Sequence, residues 1–215
     1  MKTIALAEAV ALIPDGASLM VGGFMGVGTP ERLIDELVRQ GRRDLTVIAN
    51  DTAMPGRGIG KLVSAGAVSK VVASHIGLNP ETQRKMLAGE MQVELVPQGT
   101  LIERIRAAGH GLGGILTPTG VGTVVETGKR KIAVDGVDYL LETPLAADFA
   151  LVEGFLSDYL GNLTYALTAR NFNPVIAMAA RTVIADVAHI VPVGMISPDH
   201  VVTPAVLVDY VIEHA

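Results

Sequence analysis

Short apolar runs alternate with helix-like segments through the first half of the sequence, and this alternation limits the possible folds more than any other feature. Strands are predicted at residues 18–21, 45–49, 68–74 and 93–96, and helices at residues 30–40, 61–65, 80–87 and 100–107. Brief apolar runs bounded by turn residues are typical of buried strands. Because helices separate them, the sequence predicts an α/β fold with an open, mostly parallel sheet, helices on both faces, and ligand loops at the carboxyl ends of the strands.

The remaining segments add a hairpin insertion and the two ends of the chain. Asp135-Gly136 stands between the apolar stretches 131–134 and 137–142 and is a preferred two-residue hairpin turn. A first helix capped by Thr3 is also predicted, as are further strands at residues 147–153, 175–178 and 182–186 and a closing helix at residues 204–212. Without a linker, repeat or low-complexity tract, residues 1–215 are expected to form a single domain.

Composition and charge exclude several classes of function. A net charge of −5 and a pI near 5.5 argue against binding to nucleic acid or to an anionic membrane. The absence of cysteine rules out disulfides and thiolate chemistry, and the five histidines lack metal-ligand spacing, so no metal is expected. Glu8 comes too early for a signal peptide, and Arg181 and Asp186 interrupt the longest apolar tract. We therefore expect a cytoplasmic protein with no membrane partner.

A glycine-rich loop follows the first long strand and is the principal candidate for a binding site. It consists of Gly22, Gly23, Phe24, Met25, Gly26, Val27 and Gly28, after which Thr29 is predicted to cap a helix whose first residue is Pro30. Glycines permit close approach to a ligand, and a helix N-terminus offers free N–H groups. The spacing matches neither a dinucleotide-binding motif nor a P-loop. The loop is either a ligand cradle or a tight strand-to-helix connection.

Polar residues stand at the ends of three other predicted strands. Gln98 precedes a helix and could donate to a ligand oxygen without adding charge, while Asn50 and Asp51 follow the second strand. His75 also ends a strand. Each of these side chains has a structural alternative, in which it bonds to nearby backbone or forms an Asx turn. Residues 170–174 are interpreted as a structural turn, and no serine nucleophile elbow is found.

Several motifs together resemble the alpha subunit of family I CoA-transferases. They lie at residues 15–30, 48–53, 74–77, 96–103, 117–123, 161–165 and 169–174, so the resemblance covers nearly the whole chain. The acetate and acetoacetate enzymes are the most similar, with 3-oxoadipate and succinyl-CoA:3-oxoacid enzymes as near relatives. The segment Ile76-Gly77-Leu78-Asn79 favours short-chain acids.

The resemblance implies a reaction and a division of labour. The family transfers CoA between carboxylic acids through a glutamyl-CoA thioester, and its nucleophilic glutamate lies in a Ser-Glu-Asn-Gly motif on the beta subunit. This chain has no such tetrapeptide, so no catalytic nucleophile is expected in it. The expected partner is a beta subunit, in a heterotetramer of two alpha and two beta subunits. Coenzyme A and small carboxylic acids are then substrates, with no permanently bound cofactor.

The same resemblance assigns roles to the candidate residues. The segment from Gly22 to Gly28 is similar to the family's CoA-binding segment. Gln98 matches a glutamine that faces the catalytic glutamate, and Asn50 matches a polar position near the same cleft.

A different class of function also fits this sequence. Sugar-phosphate isomerases share the broad architecture, so the chain could be a non-catalytic module that binds acyl-CoA or a sugar phosphate. An acid/base pair in a cleft of the chain itself would separate the readings, and the sequence shows none.

Overall fold

The computed structural model describes residues 2–212, in which a large sheet and a small one are surrounded by helices. The strands are β1 (Thr3–Ile4), β2 (Ser18–Val21), β3 (Leu45–Asp51), β4 (Val68–His75), β5 (Gln92–Leu95), β6 (Ile115–Thr117), β7 (Lys131–Val134), β8 (Val137–Glu142), β9 (Ala147–Asp158), β10 (Ala180–Val191) and β11 (Tyr210–Ile212). The α-helices are α1 (Leu6–Ala11), α2 (Glu31–Arg39), α3 (Ile59–Ser64), α4 (Pro80–Leu87), α5 (Gln98–Gly109) and α6 (Asn173–Ile176). Short 3-10 helices cover Val124–Glu126, Leu167–Arg170, Pro198–His200 and Ala205–Leu207.

The large sheet has eight strands in the order β1-β11-β10-β9-β2-β3-β4-β5, and every neighbouring pair is parallel. This confirms the predicted α/β class. The carboxyl ends of β2, β3 and β4 lie side by side, because β2 pairs with β3 and β3 with β4. The glycine loop, Asn50 and His75 therefore share one edge of the sheet, which is where parallel sheets place their ligands.

Alternate residues of the central strands pack against helices on opposite faces. Leu19 of β2 belongs to a fully buried cluster with residues of α1, α2 and α3, whereas Met20 belongs to a second cluster with residues of α5 and α6. Side chains of a strand point alternately to its two faces, and both faces here are apolar, so β2 reads as a continuous hydrophobic run. This confirms the expectation of helices on both faces.

The predicted hairpin is present as part of a three-stranded antiparallel sheet with the order β6-β8-β7. Asp135 and Gly136 have φ angles of 50° and 77°. Two successive positive φ values characterise the type I′ turn that Asp-Gly favours, so the dipeptide sets the register of the hairpin.

Predictions at both ends of the chain were wrong. Residues 204–212, predicted as a closing helix, form a 3-10 turn and strand β11, and Val206 is 87% exposed. Thr3 lies in β1, which pairs with β11, and Ala5 instead stands at the N-cap of α1. Long-range pairing explains both errors, because β11 fills the space between β10 and β1.

The stretch 175–178 was predicted as a strand, yet α6 begins at Asn173 and Val175 and Ile176 lie in it, buried. Pro174 at the start of α6 suits a first helical turn. Short apolar runs do not distinguish a buried strand from a buried helical turn. Within residues 2–212, no helix has the length and apolar character needed to span a membrane.

Candidate functional site

The glycine loop is a tight hairpin at the carboxyl end of β2. Phe24 and Val27 exchange two backbone hydrogen bonds of 2.9 Å, with Met25 and Gly26 at the turn, where φ is 51° and 83°. The side chains of Phe24, Met25 and Val27 are partly exposed, so the loop presents an apolar rim to its surroundings.

Two glycines of the loop are required by close packing. A Cβ atom at Gly22 would lie 1.8 Å from Asn173 Oδ1, and one at Gly23 would lie 2.0 Å from Thr29 Oγ1. Thr29 was predicted to cap α2, but this was wrong: Pro30 occupies the N-cap position, and Thr29 Oγ1 donates to Gly22 O over 3.0 Å. The threonine hydroxyl thus stabilises the loop instead of the helix.

Two asparagines from the far end of the chain hold the loop. Asn171 Oδ1 accepts a hydrogen bond from Gly23 N (3.1 Å), and its Nδ2 donates to Val27 O (2.9 Å). The fully buried Asn173 donates to Gly28 O over 2.9 Å. Residues 170–174, interpreted from the sequence as a structural turn, thus also hold the glycine loop in place. The two asparagines and the glycine loop are far apart in the sequence, so only the folded structure shows that they are in contact.

Gln98, Asn50 and Asp51 form a chain of hydrogen bonds that ends at the loop. Gln98 Nε2 donates to Asn50 Oδ1 (2.5 Å), Asn50 Nδ2 donates to Asp51 Oδ2 (2.7 Å), and the same carboxylate oxygen accepts from Met25 N (2.9 Å). Asn50 and Asp51 are buried, while Gln98 is exposed as the first residue of α5. The structure therefore brings together Gln98, Asn50 and the glycine loop.

His75 lies at the same sheet edge, in register with Asp51. Its imidazole covers Gly77, where a Cβ atom would lie 2.6 Å from Cε1 of the ring. The side chain is exposed, and among residues 2–212 it makes no hydrogen bond. Nothing in its contacts gives it a part in the hydrogen-bond chain.

Two cavities flank the glycine loop. The first, of about 670 Å³, contains Glu31, Arg32, Glu153 and Asp186, and we call it the acidic cavity. The second, of about 690 Å³, is lined by Phe24, Met25, Val27, Met54, Arg57, Leu167, Thr168, Arg170 and Asn171, and we call it the arginine cavity. Arg57 lines both.

The charges in the acidic cavity are largely compensated. Asp186 accepts from Arg32 Nε (3.0 Å), and Glu31 accepts from Gly58 N and pairs with Lys61 over 2.7 Å. Burial, together with the nearby negative charges of Asp186 and Glu31, raises the pKa of Glu153. The cavity therefore holds one carboxyl group whose pKa is raised, Glu153, beside two ion-paired ones. The sequence does not reveal this group of carboxylates, because Glu31, Glu153 and Asp186 come from distant segments of the chain.

No cluster of three or more His, Asp or Glu side chains suited to a metal ion occurs in the described part of the chain. The candidate site consists of the glycine loop, the amides of Gln98 and Asn50, and the Asp51 carboxylate that joins them, at the carboxyl ends of the parallel strands.

A parallel α/β sheet with polar groups and a glycine loop at the carboxyl ends of its strands is typical of proteins that bind small molecules. Comparison with known proteins identifies the family within this class. The coenzyme A transferase family model matches residues 3–214, so the chain belongs to that family. It is 57% identical to the acetate CoA-transferase subunit alpha of Escherichia coli, over 98% of this chain and 96% of that one. It is 51% identical to the acetoacetyl-CoA:acetate/butyrate CoA transferase alpha subunit of Clostridium acetobutylicum, over 93% of this chain and 91% of that one.

Solved structures agree with this assignment. An acyl-CoA transferase of Escherichia coli, in a thioester complex with CoA, superposes with a TM-score of 0.87 at 26% identity, covering 99% of this chain and 47% of that one. The decarboxylase AibA/AibB gives a TM-score of 0.82 at 28% identity, covering 98% of this chain and 82% of that one. The family resemblance read from the sequence is confirmed, and both of these relatives are named alpha subunits.

Proposed function

We propose that this chain is the alpha subunit of an enzyme that moves CoA between short-chain carboxylic acids such as acetate and acetoacetate. The observation that carries the proposal is the hydrogen-bond chain from Gln98 through Asn50 and Asp51 to the glycine loop. It connects, through hydrogen bonds, the residues that the family resemblance assigns to the site. The names of the relatives, acetate and acetoacetyl-CoA transferase alpha subunits, support the choice of acids.

The hydrogen bonds of Gln98 suit it to stabilise an oxyanion. Attack on a thioester places negative charge on the carbonyl oxygen, and fixed neutral donors lower the energy of that state. An amide NH₂ group has two N–H donors, and Asn50 Oδ1 takes only one from Gln98. The second N–H remains for the substrate, while Asn50 fixes the direction of the amide. Asn50 is accordingly a positioning residue.

The nucleophile comes from a separate beta subunit in this proposal. The chain lacks the Ser-Glu-Asn-Gly motif, and its site offers backbone groups and amides without a free carboxylate pair. The active unit is a heterotetramer of two alpha and two beta subunits in the cytoplasm. Residues 22–28 contact CoA, which is a substrate and not a resident cofactor, and the chain acts as a single domain.

Replacement of Gln98 by alanine in the complex with the beta subunit tests the role of the amide. Loss of one oxyanion donor typically lowers kcat by about 100-fold. We expect that loss with an unchanged melting temperature, because Gln98 is exposed. Gln92→Ala, at an exposed position of β5, is the matched control and should retain full turnover. An unchanged kcat in the Gln98 variant would make this residue purely structural.

The two-subunit assignment has its own test. The purified chain alone should not exchange CoA between acetyl-CoA and acetoacetate, whereas the co-expressed alpha and beta chains should. Full activity of the single chain would contradict the assignment. CoA binding by the chain without activity in any complex would favour the non-catalytic binding module.

A further inference from the structure

The arginine cavity combines an apolar wall with two cationic side chains that have no protein partner. Arg57 and Arg170 both line it, and neither guanidinium forms a hydrogen bond or ion pair with any residue from 2 to 212. The other walls include Phe24, Met25 and Leu167. In a chain of net charge −5, two uncompensated arginines in one cavity mark a place for a negatively charged ligand.

Several arginines elsewhere in the chain are paired with acidic side chains. Arg84 pairs with Glu90 over 2.9 Å, and Arg106 pairs with Glu103 over 3.1 Å. Arg42, Arg130 and Arg181 also form no ion pair within residues 2–212, so Arg57 and Arg170, whose side chains are exposed, are set apart by lining the same cavity. Arg57 lies against Gly26, since a Cβ atom there would fall 2.7 Å from Arg57 Nε. Because Gly26 has no side chain, the guanidinium of Arg57 can pack against the turn of the glycine loop.

Unusual backbone conformations concentrate around the same cavity. Met25 and Leu167, which line it, and Ala53, which precedes the lining residue Met54, have φ angles of 51°, 47° and 51°. Non-glycine residues seldom adopt positive φ, and such strain is commonly found where a ligand is held. The strained segments are the three that surround the two arginines.

We propose that the arginine cavity binds the phosphorylated arm of CoA, with Arg57 and Arg170 on its phosphates and the apolar wall covering the pantetheine chain. This inference rests on the proposed function, which makes CoA a substrate. A cavity of about 690 Å³ with two cations is large for the carboxylate of a short acid alone, but it suits a long arm with several anionic oxygens. The acidic cavity is less suitable, because its Arg32 is already paired with Asp186 and the cavity also contains the carboxyl group of Glu153.

Kinetics of the complex with the beta subunit test the proposal through Arg57→Gln and Arg170→Gln. Each variant should raise KM for acetyl-CoA about tenfold, the loss expected for one charge-assisted hydrogen bond, while kcat and KM for the free acid stay unchanged. With acetylpantetheine, which has no phosphate, the variants and the wild type should have equal KM. Arg84→Gln, remote from the cavity on α4, is the matched control.

Other outcomes would overturn the proposal. A higher KM for the free acid with an unchanged KM for acetyl-CoA would assign the arginines to the acid's carboxylate. An equal loss with acetylpantetheine would show that they do not bind phosphate. Calorimetric titration of CoA into the complex measures binding independently of turnover. If the complex transferred no CoA, the proposed function would be refuted, and the effect of the two arginines on CoA binding could still be measured. Arg57→Lys, which keeps the charge, should restore most of the affinity and so exclude misfolding.

Discussion

At the scale of single residues, the contact between Gly22 and Asn173 decides whether the glycine loop can form. Asn173 accepts from Glu153 N and donates to Gly28 O and Ala169 O, all from a fully buried position. Asn173→Ala leaves these groups unpaired and should lower the free energy of unfolding by about 3 kcal/mol. Gly22→Ala forces its Cβ into the Asn173 amide and should cost about 3 kcal/mol as well.

The double variant separates the contact from the two single effects. With the Asn173 amide removed, the alanine at position 22 has room, so the combined cost should fall short of the sum by at least about 1 kcal/mol. Urea unfolding of the four proteins measures this coupling. Gly113→Ala, at a glycine with open space around it, should change stability by less than about 0.5 kcal/mol. Simple additivity of the two costs would contradict the proposed contact.

Glu153 gives a pH dependence whose sign follows from its surroundings. Burial, aided by the charges of Asp186 and Glu31, raises the pKa of Glu153 in the folded protein. The folded state therefore binds this proton more tightly than the unfolded state, and stability falls as pH rises from the ordinary glutamate pKa through the raised one. Glu153→Gln lacks the ionisation, so it should be more stable than the wild type at neutral pH and differ little at acidic pH.

Thermal melting across this pH range measures the effect. Glu8→Gln, on the exposed side of α1, should follow the wild-type curve at every pH. A constant offset between the Glu153 variant and the wild type would show that the substitution acts through packing and not through the proton.

Where the signal is local, the sequence singles out residues that lie together in the structure, and their roles in the site stay predictions. The glycine loop, Asn50 and Gln98 were all found from their position after strands, and the structure brings them together. Asn171 and Asn173 were missed because their partners lie about 150 residues away, as the bond from Asn171 to Gly23 shows. A side chain that satisfies the backbone of another segment leaves no local pattern in the sequence.

At the scale of elements, the sequence predicted those whose signals are local. Helix α4 matches its predicted bounds because Asn79 caps it and Pro80 starts it, with Asn79 Oδ1 accepting from Thr82 N. The hairpin matches because its turn dipeptide admits one register. Strand β11 and helix α6 were assigned wrongly because tertiary contacts override weak propensity in segments of three or four residues.

The small antiparallel sheet is joined to α5 by a buried carboxylate. Glu142 of β8 is 3% exposed, pairs with Lys129 Nζ over 2.5 Å, and lies 3.9 Å from Arg104 Nε of α5. Glu142→Ala removes the buried carboxylate that faces Lys129 and Arg104, so it should cost about 3 kcal/mol. Glu103, which forms a surface ion pair with Arg106, is the control. Its replacement by alanine should cost less than about 1 kcal/mol.

Hydrogen exchange locates the loss of Glu142 within the fold. Amides of β7 and β8 should lose protection in the Glu142 variant, while those of β3 and β4 in the parallel sheet should keep theirs. Uniform loss across both sheets would mean that the small sheet unfolds only with the whole protein.

At the scale of the whole molecule, net charge and local charge act on CoA in opposite directions. The chain carries −5 and CoA is an anion, so the overall field repels CoA while Arg57 and Arg170 attract it within their cavity. Salt screens both effects. In the wild type the arginines act on the phosphates at short range, so added salt should weaken the binding of CoA. Without both arginines only the repulsion remains, so added salt should strengthen binding. Titration of CoA into the wild type and into the variant with both Arg57→Gln and Arg170→Gln, at low and high ionic strength, measures how the affinity of each depends on salt. An equal salt dependence in the two proteins would show that the arginines do not bind CoA.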